Sequence, residues 1–451
     1  MAGDISADRE RAMRMKRLVW IAGVVGVVLG PAALGQQAER AAKYMRVRDD
    51  AGGLASTLEL SVRTLTRPGS PLVHLVGAVH VADQSFYDDV QAFLDAQDLV
   101  LYEGVGGERP FTGGDADDDE INIERTEARL RAAAMLLIAA RRESGSYPQT
   151  LDALAEKLPG IHPSVVERAI VDAWGTPITA SIGEHGFRLI SLGADRQPGG
   201  EGAAADLTVA VAAERVSVRP DLPRLPGIQQ QLADALGLEF QLRGIDYDRR
   251  HWRNSDMSIE QLRSVLTGGG QAGAEANEDN AGDAPAADQR TAAAANQLFR
   301  ALSGESIMSR MAGVLLRFVG MNEGMRATAK LAMLEMVARA DEILEAQLGQ
   351  AGRLLEVLIV DRNTVVLDDL RRLMDEQSGV ESVAVFYGAG HFPDLERRMV
   401  EELGFEVAGE FWLPAITVRL DEAGIDPEQA GAMRAMVSRM LDAQARPQRA
   451  R

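Results

Sequence analysis

The stretch Val73–Gly104, VHLVGAVHVADQSFYDDVQAFLDAQDLVLYEG, decides the fold. With Leu72 before it, the opening run is apolar and bounded by turn residues. This predicts a buried strand that ends in Gly77-Ala78-Val79-His80. Asp83 or Ser85 can cap the helix that follows, in which Phe86, Val90, Phe93 and Leu94 fall on one face. DLVLYEG, Asp98–Gly104, is then the next strand. Strand, short loop, helix and strand make a βαβ unit, and hence a parallel sheet.

The same punctuation returns downstream in VAVFYGAGHFPDLERRM, Val383–Met399, where a predicted strand ends in Gly388-Ala389-Gly390-His391. Pro393 suits the first turn of the next helix, and Gly404 suits its C-terminal cap. LLEVLIVDRN, Leu354–Asn363, reads as another buried strand, followed by a helix through Thr364–Glu376. Gly237–Leu266 reads as a strand, a polar loop and a helix. Phe405–Leu413 is the last strand, and after about Leu420 the tail is helical. In a parallel sheet the carboxyl ends of strands face the crevice where ligands bind. His80, Glu103, Arg362, Asn363 and His391 are therefore expected to converge from four strand ends. Gly77 and Gly388 would let the backbone turn tightly and approach a ligand.

Composition narrows the function. The chain has 451 residues, too many for one small core, and a 46% apolar fraction. Its formal net charge of −19 argues against nonspecific nucleic-acid binding. It has no cysteine, so any metal must use His, Asp, Glu or carbonyl ligands. Arg11, Arg14, Lys16 and Arg17 precede the apolar run from Leu18, with small residues at Ala33 and Gly35. Residues 1–36 read as a secretory signal peptide, or as an N-terminal anchor if Leu18–Gly35 tolerates Pro31. Both place the rest of the chain in the periplasm or outside the cell, with the membrane touched only through this segment.

Two imidazoles and a carboxylate, His80, Glu103 and His391, are ordinary ligands for Zn, Mn or Co with a position open for water. Arg362 can hold a carboxylate or stabilise an oxyanion. Against this, a lone Gly-x-x-His is more simply a loop cap. Two copies in the same strand-to-helix context favour the site. His74 reads as structural, and His162, His185 and His251 lack a ligand set. The acidic run Asp115–Glu120 reads as a solvated linker. Arg249, Arg250 and Arg253 with Trp252 suit either the crevice or a surface loop.

The stretches GAVHVADQSFYDDVQAFLDAQDLVLYEG, DYDRRHWRNSDMSIEQL, DRN and FYGAGHFPDLERRM resemble the TraB/PrgY/TIKI family, whose marks are two Gly-x-x-His motifs, a Glu after the first and an Arg-Asn pair before the second. The resemblance covers most of residues 55–112 and 208–420. It implies an α/β fold with a mainly parallel sheet flanked by helices, related to erythromycin-esterase and ChaN-like proteins. It also implies a metal-dependent hydrolase, in the first place a peptidase, with His80, Glu103, Arg362, Asn363 and His391 as its working residues.

Between these parts the texture changes. A helical stretch, Ile123–Gly145, leads through SYPQTLDALAEKLPG to Asp172–Leu207, DAWGTPITASIGEHGFRLISLGADRQPGGEGAAADL, which reads as short antiparallel strands ending in a Gly-rich acidic loop. YPQTLDALAEKL, DAWGTPI and HGFRLISLGADRQPGGEGAAADL resemble the C-terminal domain of the type II secretion G pseudopilin. That resemblance implies an inserted α+β domain whose loop binds calcium. Asp195 and Asp206 would be the leading ligands, with Glu201 and the Ser191 region behind them. Its first helix carries Arg125, Arg129, Arg131, Arg141 and Arg142, which argues against pilus-like polymerisation and for a recognition or regulatory role.

The expected organisation is residues 1–36 as signal or anchor, 54–112 and 208–420 as the two parts of the α/β domain, 120–207 as the insert and 421–451 as a helical tail. Thr267–Thr291 is a low-complexity linker, with residues 268–291 expected to be disordered. Ala292–Gln350 reads as helical. Excising about Asp115–Ala205 is expected to leave a folded α/β domain. Two functions remain open: an extracytoplasmic metal-dependent peptidase, or an envelope protein that holds a peptide or haem-like ligand without turnover. In the second, the insert would dock a secretion or envelope partner.

Overall fold

The computed structural model describes residues 44–50, 52–104, 119–212, 228–258, 261–262, 322–338, 356–376 and 379–445. The N-terminal segment, the linker at 267–291 and most of 292–350 lie outside the described residues. The strands are β1 Met45–Asp49, β2 Ala55–Thr66, β3 Leu72–Ala78, β4 Val81–Ala82, β5 Leu99–Tyr102, β6 Thr179–Gly183, β7 Gly186–Ser191, β8 Leu207–Ala212, β9 Glu239–Phe240, β10 Trp252–Asn254, β11 Ser382–Gly388 and β12 Glu406–Arg419.

The main sheet is mixed. β3, β11, β5 and β10 run parallel in that spatial order, while β1, β2 and β12 join by antiparallel pairing. The βαβ unit forms as expected, with the Gln84–Asp95 helix between β3 and β5, and β11 slots between those two strands. The long strand β2 was not assigned from sequence, although Leu58, Leu60 and Val62 alternate in it. It carries β12 along one edge and β1 and β3 on the other. Asp83 stands at the cap position of the Gln84–Asp95 helix but makes no side-chain cap bond. Its carboxylate instead accepts the Thr417 N–H of β12 at 2.7 Å.

Period-two alternation splits the core into two faces. Val73, Leu75, Leu99, Leu101, Val383, Val385 and Tyr387 face the helices Arg362–Asp375 and Phe392–Leu403. Val76, Val100, Ala384 and Phe386 face the Gln84–Asp95 helix. The second of the first pair of helices behaves as read: Pro393 lies in its first turn, and Gly404 ends it in the left-handed conformation at φ 72°.

One strand assignment is corrected. Glu356–Asp361, predicted as the end of a buried strand, is a π-helical turn that runs into the Arg362–Asp375 helix. A short apolar run does not by itself separate strand from buried helix. Its tertiary setting decides it: the turn runs directly into the Arg362–Asp375 helix, whose Val366, Leu367, Leu370 and Leu373 pack in the core. In place of the polar loop, Trp252–Asn254 adds a short parallel strand beside β5.

The insert is docked, not appended. Its first helix, Asp119–Ser144, begins with Asp119 and Glu120 of the acidic run, a charge that suits a helix N-terminus. Its second half is enclosed on all sides, as Ala133, Met135, Leu136, Leu137 and Ala140 show, while Glu124, Glu127 and Arg131 of its first half reach solvent. It packs against the host helix Gln84–Asp95 on one side and against β7 and β8 of the antiparallel sheet β6-β7-β8 on another. Host and insert residues thus share one hydrophobic cluster. Polar ties add to it. Arg168 bridges Asp98 at 3.0 Å and Glu381 at 2.9 Å, and Arg142 donates to the Trp412 carbonyl at 2.7 Å.

This shared core revises the expectation for excision. Removing residues 116–210 uncovers the apolar face around Phe93 and Val90, so the truncated chain should bind a hydrophobic dye and unfold without a cooperative transition. A monomeric, cooperatively melting deletion product, measured by calorimetry and size exclusion, contradicts the shared-core description.

Candidate functional site

The site grows from strand register. β3 and β11 pair in parallel with Ala78 opposite Gly388, and β11 and β5 pair with Phe386 opposite Tyr102. The next residues of all three strands leave the sheet at one rim. His80 follows β3, His391 follows β11 and Glu103 follows β5. β10 ends at the same rim, with Asn254 opposite Tyr102, and delivers Asp256 two residues later. Arg362 and Asn363 arrive from elsewhere: they are the first residues of a helix and not the end of a strand.

At the centre lies a chain of charges. Arg362, with 1% of its side chain exposed, donates from Nη2 to Glu103 Oε1 at 2.6 Å. It also grips Asp256 with two bonds, Nε to Oδ1 at 2.9 Å and Nη2 to Oδ2 at 2.7 Å. Glu103 Oε2 accepts the Gly388 N–H at 2.8 Å. Gly388 leaves room here, since a Cβ at that position would crowd Glu103 Oε2 at 3.3 Å. The equivalent Cβ at Gly77 would meet Leu60 at 3.1 Å. Both glycines therefore make room for side chains of the protein itself, where sequence had assigned that room to a ligand.

His391 is fully buried and its protonation pattern follows from its neighbours. The Asn363 Nδ2 donates to the His391 carbonyl at 3.1 Å and to Asp394 Oδ2 at 2.9 Å. Those two bonds turn Asn363 Oδ1 toward His391 Nδ1, 2.8 Å away. An oxygen there requires that Nδ1 carry the proton. Nε2 is then a bare lone pair; it has no hydrogen-bond partner among the described residues and lies 3.7 Å from Glu103 Oε1. Burial lowers the imidazole to about 4, with Glu103 opposing the shift and Arg362 adding to it, so the ring is neutral at pH 7. Burial pushes the Glu103 carboxyl upward. The Arg362 charge, then His391 when protonated, the Gly388 N–H and His80 outweigh burial and hold it down at about 2.

Sequence reasoning placed His80, Glu103, Arg362, Asn363 and His391 together, but with different work for two of them. Arg362 is consumed by two carboxylates and is not presented to a ligand. Asn363 orients His391. His80 is half-buried, and its backbone carbonyl accepts the Gln241 N–H at 2.9 Å. Asp256 was missed. It is buried, and its oxygens also accept the Gly104 and Met257 N–H groups at 3.1 Å and 2.8 Å. The signal for it was an acidic residue after Trp252-Arg253-Asn254, a strand too short to read.

Of the expected transition-metal set, His391 and Glu103 face each other at 3.7 Å, and Glu103 is already paired to Arg362. A guanidinium already lies against the Glu103 oxygen nearest His391. Among the described residues, no group of three or more His, Asp or Glu side chains is arranged to hold a metal ion.

In the insert, Asp195, Glu201 and Asp206 are exposed and are not drawn into such a group. Asp195 Oδ1 accepts the Gln197 N–H at 2.9 Å. The Ser191 hydroxyl is taken up structurally: it donates to buried Asp172 at 2.6 Å and accepts the Gly193 N–H at 3.2 Å. Asp172 also accepts the Trp174 and Thr176 N–H groups at 3.1 Å and 2.8 Å, which ties the Asp-Ala-Trp-Gly turn to the acidic loop. Of the other candidates, His74 is structural as read, bonded to Thr64 at 3.0 Å and packed on Phe93. Trp252 joins an aromatic cluster with Tyr102, Tyr247 and Phe386. Arg249, Arg250 and Arg253 are ion-paired to Asp95, Glu120 and Asp369.

Residues 116–210 match the family described as type II secretion system protein G. No curated protein and no solved structure matches the chain. The flanking α/β part therefore rests on the motifs and geometry given above, and the insert is similar in sequence to a pseudopilin domain.

Two buried histidines and one half-buried histidine make stability depend on pH. Burial lowers His391 to about 4, His74 to about 3 and His251 to about 4. In the unfolded chain each takes a proton near pH 6.5, so the unfolded state binds more protons below that pH and stability falls as pH falls. Glu103 acts in the same direction between about 4.5 and about 2. Unfolding free energy, measured by denaturant titration, should decline from pH 6.5 toward 4 with about 1.4 kcal/mol per pH unit from each histidine. A flat profile across that window contradicts the buried neutral rings.

Proposed function

We propose that the α/β body is an extracytoplasmic hydrolase of peptide-like substrates, and that the pseudopilin-like insert links it to secretion or pilin-like machinery of the cell envelope. The observation that carries the hydrolase reading is the bare Nε2 of His391 facing the ionised Glu103 at 3.7 Å. Two acceptors so close, and shielded from bulk solvent, call for a donor between them. A water molecule gives one hydrogen to each and keeps a lone pair for attack on a carbonyl. His391 takes its proton as attack proceeds, and Glu103 stabilises the imidazolium. Asn363 holds the tautomer this requires. Arg362 keeps Glu103 ionised and in place. No step in this scheme passes through a metal.

The second reading, ligand binding without turnover, draws on the same geometry. With Arg362 spent on Glu103 and Asp256, it is not presented as a donor to an oxyanion. The insert supports the envelope assignment under both readings, since the family that matches it is a component of a secretion system. Calcium at Asp195 with Asp206 and Glu201 belongs to that part of the proposal.

The test of the main reading is turnover of a quenched peptide library by the purified chain, before and after exhaustive chelation. Chelated protein should keep its activity. His391→Ala should lose on the order of 10²–10⁴-fold in kcat in protein that still unfolds cooperatively. Activity that tracks a bound metal, or survives His391→Ala, overturns this mechanism. Peptide binding with no turnover selects the second reading.

Calcium is tested separately by the melting temperature of the intact chain. Excess calcium should raise it by mass action, and Asp195→Ala should abolish the rise. An identical melting temperature in calcium and in EGTA removes the claim.

A further inference from the structure

We propose that Asp256 is the positioning residue of this crevice: from the end of a fourth strand it aims Arg362, and through Arg362 it fixes Glu103 against Gly388 and beside His391. Four observations carry this. The grip on Arg362 is bidentate, with Nε and Nη2 each on a separate oxygen of Asp256, at 2.9 Å and 2.7 Å. That geometry sets the plane and direction of the guanidinium, which a single contact does not. The same Nη2 then reaches Glu103 Oε1 at 2.6 Å, so the aim of Arg362 decides where Glu103 sits.

The corner that bears Asp256 is pinned from three elements. The Ser255 N–H donates to the Tyr102 carbonyl of β5 at 3.2 Å, and the Tyr387 hydroxyl of β11 donates to the Ser255 carbonyl. The Ser255 hydroxyl donates at 2.7 Å to Asp369 of the helix that begins at Arg362. Asp369 is itself buried and tied to Arg253 and Arg372. A surface turn that only carried an acid would need none of these ties. Finally, the side chain of Asp256 is fully enclosed, so its carboxylate meets no ligand directly and acts through Arg362.

The inference is tested without a substrate by the amide resonances of the intact chain. An N–H donated to an ionised carboxylate has a characteristic downfield proton shift and slow exchange. Asp256 accepts the Gly104 and Met257 amides itself, and it reaches the Gly388 amide only through Arg362 and Glu103. Asp256→Asn should move the Gly388 amide proton upfield and speed its exchange on the order of 10-fold. Arg362→Gln should do the same, and the double substitution should add nothing further, because both act on one chain of contacts.

Changes confined to Gly104 and Met257, with Gly388 as in the native chain, overturn the proposal and leave Asp256 a local structural role. Should Asp256→Asn fail to fold, Ser255→Ala keeps the charge and loosens only the corner. It should give the same Gly388 signature at smaller size, and its absence is equally decisive. A kinetic arm rests on the hydrolase reading. There, Asp256→Asn should lower kcat on the order of 10²-fold while KM stays within about twofold, as displacement of a reacting group requires. Failure of all turnover in the native chain sinks the hydrolase reading and leaves the spectroscopic result standing.

Discussion

The interaction on which the crevice depends is the burial of Arg362 between Glu103 and Asp256. A guanidinium with 1% exposure is costly to bring out of water, and only excellent geometry with opposite charge offsets that cost. Two carboxylates supply it, one from β5 and one from the corner after β10. Removing either takes away charge-assisted bonds to the buried guanidinium, so three separate chain segments are bound to one another at this point. The parallel register of β3, β11, β5 and β10 brings the strand ends together, and the ion-pair chain fixes their side chains.

What this arrangement makes of His391 follows from ordinary hydrogen-bond inventory. Asn363 spends both amide hydrogens on acceptors, which leaves its oxygen for Nδ1 and leaves Nε2 bare. A neutral imidazole with a lone pair aimed at a carboxylate is poised to hold the hydrogens of something between them. The insert lies on the other face of the sheet from the Arg362–Asp375 and Phe392–Leu403 helices. Its Arg168 ties Asp98, just before β5, to Glu381, just before β11. The pseudopilin-like segment thus braces the amino ends of the two strands whose carboxyl ends hold Glu103 and His391.

Much of this was legible in the sequence where local pattern and context agreed. The strands around Val73, Leu99 and Val383 are apolar, bounded by turns and followed by helices with clear faces, so their ends and the residues on them could be read. The insert was legible through the Asp-Ala-Trp-Gly and Ser-Leu-Gly-Ala-Asp elements. Illegible features had physical reasons. Leu354–Val360 is equally apolar as strand or helix, and only its tertiary setting makes Glu356–Asp361 helical. Asp256 follows a strand of three residues, too short to show a period. The Asp119–Ser144 helix is enclosed all round in its second half, which in sequence registers only as richness in Ala and Leu and does not reveal that one side packs on the host. The sequence did not reveal that Arg362, read as a substrate contact, lies against Glu103.

The measurement that tests the central claim most directly is the nitrogen chemical shifts of the His391 ring at pH 7 in the isotopically labelled chain. The arrangement described here requires a protonated Nδ1 and an unprotonated Nε2. An imidazolium, or a proton on Nε2 with Nδ1 bare, contradicts it and removes the lone pair on which the proposed chemistry depends.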